Sequence, residues 1–161
     1  MPAPTSRALR ALTAAAWLAC AGSAAWAVDS APPAKADTLA GARTLIQQKK
    51  WSAAVDELKR VNDTGNADWN NLMGYSLRKG AAPDYAGAEK FYNEALRIDP
   101  KHRGALEYSG ELYLMTGELP KAEQRLDALD KACRLPCEEY TDLKKAVARF
   151  KANGNKYAAE P

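Results

Sequence analysis

The sequence has few of the side chains that perform catalysis or hold metal ions, with one histidine and three cysteines among 161 residues. No glycine-rich phosphate loop follows a predicted strand, and no serine lies in a nucleophile motif. No pair of carboxylates lies in an apolar stretch, where it could act as a general acid and base. We therefore predict that the protein is not an enzyme and has no catalytic residue, bound metal or cofactor.

Charge of one sign and long apolar runs are also scarce. Lysine and arginine total 23 while aspartate and glutamate total 20, so the net charge is only +3. This balance provides no basic field for nucleic acid, and a mean hydropathy of -0.47 argues against an integral membrane protein. Residues of high β propensity are sparse, whereas Ala, Leu, Lys and Glu are abundant. The composition therefore predicts an all-α protein, and the length suits a single domain.

Residues 1–27 have the pattern of an export signal. Arg7 and Arg10 precede an apolar run that is too short to span a membrane and ends in an Ala-Trp-Ala sequence. We predict cleavage after Ala27, with a flexible leader at residues 28–37, which contain two adjacent prolines. An alternative is a lipoprotein anchored at Cys20, although a tryptophan occupies the position three residues earlier where leucine is expected.

The remainder of the chain contains a repeat. Ala54, Ala88 and Ala122 follow one another at intervals of 34 residues. A small alanine lets two helices approach closely, and bulky residues at helical spacing fill the space between neighbouring helix pairs. Each unit is thus predicted to be a helical hairpin. Three further columns have the same period: Trp51, Tyr85 and Leu119; Leu58, Tyr92 and Leu126; Val61, Ala95 and Leu129.

The period and the residue types resemble the tetratricopeptide repeat, a helix-turn-helix unit of about 34 residues. The middle unit resembles it most, and its motif positions are occupied by Met73-Gly74, Tyr85, Ala88, Tyr92 and Pro100. The resemblance implies a short α-solenoid, because hairpins of this family stack on their neighbours. We place the three hairpins at about residues 38–66, 67–100 and 101–134.

A final amphipathic segment follows the third hairpin. Leu143, Val147 and Phe150 recur at i, i+4 and i+7, which predicts a helix at about residues 138–153, with a tail at 155–161. A solenoid needs a terminal element that covers its last apolar face, so we interpret this segment as a capping helix within one helical domain at 38–154. The segment also resembles the end of small exported bacterial repeat proteins, and that resemblance implies the periplasm.

Two cysteines, Cys133 and Cys137, precede the capping helix. Because Cys20 is removed with the predicted signal, these two are the cysteines that remain in the exported chain. An even number in an oxidising compartment favours a disulfide, which would join the third hairpin to the capping helix. The alternative is a small thiol- or metal-handling protein, in which the two thiolates bind a soft cation together with His102 or Met115.

The resemblance also implies a partner-binding groove, lined in this family by the first helix of each hairpin. A groove of mixed charge suits a protein segment or peptide, so the predicted function is a non-catalytic adaptor of the cell envelope. Self-association through the first hairpin or the capping helix is a further alternative. The groove positions are Leu39, Arg43, Asn71, Tyr75, Arg78, Lys79, Glu107, Glu111, Leu114 and Met115.

Overall fold

The computed structural model of the protein describes residues 37–158 and shows seven α-helices and no strand within that range. The prediction of an all-α protein is confirmed. The predicted signal peptide, Cys20 and most of the leader lie outside the described residues. The helices are α1 (Ala40–Gln47), α2 (Trp51–Val61), α3 (Ala67–Lys79), α4 (Tyr85–Ile98), α5 (Arg103–Met115), α6 (Leu119–Ala132) and α7 (Glu138–Ala152).

Consecutive helices pair into three hairpins, α1 with α2, α3 with α4, and α5 with α6. Each hairpin packs against the next, and α7 packs against both α5 and α6. The predicted three-hairpin solenoid with a terminal helix is therefore confirmed. Over residues 37–158, no helix combines the length and the apolar character that crossing a bilayer requires.

Small residues allow the helices to approach closely. Ala54, Ala88 and Ala122 are completely buried, as the repeat predicts for the small column. Gly74 lets α3 approach α4, because a Cβ atom at this position would lie 2.8 Å from the Tyr92 ring. Gly110 does the same between α5 and α7, where a Cβ atom would lie 2.5 Å from a methyl group of Leu143. The terminal helix therefore depends on a glycine in the third hairpin.

The apolar face of α7 completes the hydrophobic core at this end of the solenoid. Leu143, Val147 and Phe150 are buried in one cluster with Leu106 and Leu129 of the third hairpin. This is the spacing that predicted an amphipathic helix, and burial of such a face supplies most of the stability of a surface helix. The C-terminal helix therefore has the packing expected of a cap.

The loop between α6 and α7 contains both cysteines. Cys133 follows the last residue of α6, and Cys137 immediately precedes α7. Their side chains are paired, and their Cα atoms lie 6.0 Å apart, within the range that a disulfide spans. The pair therefore closes the loop that leads into the terminal helix.

Candidate functional site

The first helices of the second and third hairpins, α3 and α5, lie side by side and share a buried ion pair. Nη1 of Arg78 lies 2.7 Å from Oε2 of Glu111. The Arg78 side chain is only 3% exposed, whereas that of Glu111 is 27% exposed. A buried guanidinium needs such a partner, because an isolated charge away from water is strongly disfavoured. The pair therefore fixes α3 against α5 and leaves its carboxylate accessible from the surface.

Aromatic rings surround the guanidinium. The ring centroids of Tyr75 on α3 and Tyr108 on α5 lie 4.7 Å apart. The guanidinium carbon of Arg78 lies 5.5 Å from each centroid, which is within cation–π distance. Trp51 of α2 adds an edge contact to Tyr75, with centroids 5.8 Å apart. Burial raises the pKa of both tyrosines, so their hydroxyl groups stay protonated near neutral pH.

A second carboxylate, Glu107, lies one turn before Glu111 on α5. It is only 9% exposed, and no residue within 37–158 forms a hydrogen bond or an ion pair with it. Burial and then three neighbouring carboxylates raise the pKa of Glu107 to about 8, against the opposing effect of Arg78. The carboxyl group therefore holds a proton at pH 7. The three carboxylates are Glu111, Asp142 and Glu139.

Asn71 of α3 faces the same region of α5. A Cβ atom at Gly104 would lie 3.0 Å from Nδ2 of Asn71, and Gly104 precedes Glu107 by about one helical turn. The Asn71 side-chain oxygen is buried and has no hydrogen-bond partner among residues 37–158. This unpaired oxygen and the Glu107 carboxyl group thus lie on facing helices. We call the surface formed by Asn71, Tyr75, Arg78, Glu107, Tyr108 and Glu111 the α3–α5 surface.

The structure brings half of the predicted groove residues to this surface. Asn71, Tyr75, Arg78, Glu107 and Glu111 belong to it. Their assembly follows from the packing of α3 on α5, which brings together residues more than thirty positions apart in the chain.

Three other predicted residues lie at the margins of this region. Met115 contacts it through its sulfur atom, which lies 3.8 Å from Nη1 of Arg78. Lys79 is exposed at the end of α3. Arg43 on α1 is bound to acidic side chains, with its guanidinium 2.9 Å from Asp68 and 3.6 Å from Asp37. The first hairpin therefore contributes ion-paired charge beside the α3–α5 surface.

Two predicted residues do not line the groove. Leu39 is buried with Leu58 and Trp69 in the core of the first two hairpins. Leu114 is buried in the C-terminal cluster with Leu129. Both side chains lie on the faces of their helices that pack inward, so the assignment of these two leucines to the groove is corrected.

The sequence prediction also omitted four residues that bear on the site. Tyr108 is not among the predicted groove positions, and Trp51 is predicted only as one of the bulky residues of the repeat. Glu139 and Asp142 lie on α7, outside the predicted groove. Their i, i+3 spacing is the available signal for Glu139 and Asp142, because it places both carboxylates on one side of α7, which packs against α5.

The residues offered for a metal site have other contacts. Nε2 of His102 lies 2.8 Å from Asp68, and its Nδ1 accepts a hydrogen bond from the Ala105 amide at the start of α5. Asp68 also pairs with Arg43, and these two partners lower the pKa of Asp68 although partial burial raises it. In the part of the chain that the structure describes, no three His, Cys, Asp or Glu side chains are grouped to hold a metal.

The C-terminal segment lies next to the α3–α5 surface. Tyr157 and Ala158 line a small cavity of about 20 Å³ together with Glu111 and with Arg149 of α7. A cavity of this size holds roughly one water molecule. The segment after α7 therefore lies at the edge of the candidate site.

Comparison with known proteins finds a family that resembles the C-terminal half of the fold. The tetratricopeptide repeat family model matches residues 81–152, from the turn before α4 to the end of α7. This part of the chain is therefore similar to tetratricopeptide repeat proteins. The α3–α5 surface lies between the first helices of two successive repeats, the position at which the resemblance placed a groove. Comparison with curated protein sequences gives no match.

Two solved structures from Yersinia enterocolitica resemble this protein. The type III secretion translocator chaperone SycD is 20% identical, with a TM-score of 0.63 over 73% of this chain and 83% of the chaperone. SycD in complex with a peptide of the translocator YopD is 19% identical, with a TM-score of 0.59 over 72% of this chain and 88% of the other. At these identities the similarity establishes a shared fold.

Proposed function

We propose that the protein is a non-catalytic adaptor that binds an extended segment of a partner protein at the α3–α5 surface. The observation that carries this proposal is the buried Asn71 side-chain oxygen, which has no hydrogen-bond partner among residues 37–158 and lies near Glu107, an aromatic pair and a buried ion pair. Folded proteins pair nearly all of their buried polar groups, so an unpaired buried oxygen indicates a missing donor. Side chains of a bound segment can supply that donor.

The chemistry of this surface suits a peptide. Tyrosine, arginine and methionine are enriched at protein interfaces, and Tyr75, Tyr108, Arg78 and Met115 are grouped here. The SycD structure supports the proposal by analogy, because that chaperone has a similar fold and was solved with a peptide of YopD. A tetratricopeptide repeat groove is a common place for such recognition, although fold alone does not decide function.

We further propose that this adaptor acts in the cell envelope as a periplasmic protein. The export pattern that ends at Ala27 supports this location, and the pairing of Cys133 with Cys137 is compatible with an oxidising compartment. Intact mass spectrometry of the chain from a bacterial periplasm tests both points. A chain that begins at Val28 and lacks two thiol hydrogens supports the proposal. A lipid-modified Cys20 or free thiols would contradict the soluble, disulfide-bonded form.

Peptide selection tests the binding function. A random peptide library is selected against the periplasmic protein, and binders are measured by calorimetry against Tyr108→Ala and the control Tyr85→Ala. Tyr85 is an aromatic residue at the start of α4, outside the α3–α5 surface. We expect Tyr108→Ala to weaken binding at least tenfold, as loss of an interface tyrosine does, and Tyr85→Ala to leave it unchanged. Failure to select any peptide, or equal loss in both variants, would refute the proposal.

A further inference from the structure

Given the proposed peptide-binding function, we propose that the α3–α5 surface selects a basic residue, with the lysine or arginine side chain of the bound segment seated between Glu107 and Asn71. The inference deepens that function by naming the side chain that the surface recognises. It begins from the chemistry of the two unpaired groups. Asn71 presents a buried carbonyl oxygen, and Glu107 presents only acceptors once its carboxyl group has lost its proton. A donor that carries a positive charge satisfies both groups, because it also favours the ionised form of Glu107.

Charge decides which kind of donor fits. Glu107 is surrounded by other acidic side chains from α5 and α7, and three of the four carboxylates in this group have a cationic partner. Glu107 is the fourth and has no such partner within residues 37–158. A single positive charge would therefore complete the pairing. The existing ion pairs are Glu111 with Arg78 at 2.7 Å, Glu139 with Arg103 at 3.5 Å, and Asp142 with Lys145 at 3.2 Å.

The aromatic pair favours the same occupant. Besides burial, the Glu107 carboxylate is one of the groups that raise the pKa of both Tyr75 and Tyr108, so the two side chains lie in the neighbourhood of its carboxyl group. Tyrosine faces attract cations and also pack against the methylene stem of lysine or arginine. A basic side chain would thus find acceptors for its charged group and an apolar wall for its stem. A neutral polar side chain would leave the carboxylate uncompensated.

The protonation state of Glu107 gives this recognition a pH dependence. The groups that face it are Tyr75 and Arg78 from α3, Tyr108 and Glu111 from α5, and Glu139 and Asp142 from α7. Because a cation binds the ionised carboxylate, and the pKa of free Glu107 is about 8, binding releases a proton below that pH. We expect the affinity to rise with pH, by up to about tenfold per unit below pH 8, and then to level off.

The test uses a selected peptide that binds the α3–α5 surface. Each arginine is replaced in turn by citrulline, and each lysine by norleucine, which removes the charge at nearly constant size. Affinities are measured for the periplasmic wild-type protein, for Glu107→Gln, and for the control Asp127→Asn. Asp127 is an exposed acid on α6, so this control removes the same charge outside the site.

One basic residue of the peptide should prove essential to wild-type binding. We expect its neutral replacement to weaken binding at least tenfold in the wild type and in Asp127→Asn, and by less than twofold in Glu107→Gln. Carbon-13 NMR of the Glu107 carboxyl group should show its pKa falling when the peptide binds. This second measurement does not depend on how well the variant folds.

The possible failures are distinct. A peptide that binds the α3–α5 surface equally well without any basic residue overturns this inference and leaves the proposed function standing. The same holds if Glu107→Gln retains the full preference for the basic residue, or if the Glu107 pKa does not change on binding. Absence of any peptide binding at this surface overturns both proposals.

Discussion

The burial of Glu107 leads to a prediction about stability that needs no ligand. The ordinary pKa of a glutamate is 4.5, and its surroundings here raise it to about 8. In the unfolded chain Glu107 loses its proton near the ordinary pKa, whereas in the folded protein it keeps the proton until about pH 8. Ionisation between these two pH values therefore stabilises the unfolded state and not the folded state. The contribution of Glu107 to folding is fully present below pH 4.5 and is lost as the pH rises from there to about 8.

The magnitude follows from the size of the shift. One pKa unit corresponds to about 1.4 kcal/mol, so this raised pKa destabilises the protein at pH 9 by on the order of 3 kcal/mol, since solvent at the carboxyl group screens part of the effect. Glutamine has nearly the same shape and no charge. Glu107→Gln should therefore lie within about 1 kcal/mol of the wild type in unfolding free energy at pH 5 and exceed it by on the order of 3 kcal/mol at pH 9.

Urea denaturation followed by circular dichroism at pH 5, 6, 7, 8 and 9 measures this difference. The control Asp127→Asn removes an exposed carboxylate from α6 and should follow the wild-type curve. Parallel curves for Glu107→Gln and the wild type would refute the reasoning, because they would mean that Glu107 titrates at the same pH in the folded and unfolded chains.

Three further predictions concern packing and the cysteine pair. Gly110→Ala should lower the unfolding free energy by about 1–3 kcal/mol through overpacking between α5 and α7, as measured by thermal denaturation. Gly65→Ala, with open space around it, is the control, and equal effects would contradict the packing argument. The double variant Cys133→Ser with Cys137→Ser should lower the free energy of unfolding by about 2 kcal/mol, measured by urea denaturation, and leave peptide affinity unchanged. Loss of binding in the folded variant would instead favour a thiol function. Tyr92→Phe should change the melting temperature only slightly, because Arg78 is near the buried Tyr92 hydroxyl but forms no hydrogen bond of good geometry with it; a large decrease would contradict this.

The helical hairpins could be predicted because the repeat depends on local chemistry. A small residue such as Ala88 and a bulky one such as Tyr92 lie four positions apart, so both face the same neighbouring helix. This spacing identifies a helix and its buried side without knowledge of the rest of the chain. The terminal helix was predictable for the same reason.

The contacts of the site could be predicted only in part. The family resemblance indicated which positions of α3 and α5 lie on the groove side, and it failed for Leu39 and Leu114, whose side chains turn into the core. It could not indicate that Arg78 pairs with Glu111, since this contact depends on how successive hairpins are offset. The raised pKa of Glu107 depends on burial and on α7, which the chain reaches about thirty residues later.

The position of the C-terminal segment has a practical consequence. Tyr157 and Ala158 lie beside Glu111, so a tag fused directly after Ala158 would begin next to the α3–α5 surface. A purification handle there, especially one rich in histidine, would compete with the ligands being sought. Handles and fluorophores are better attached ahead of α1, so that binding measurements report on the protein and not on its label.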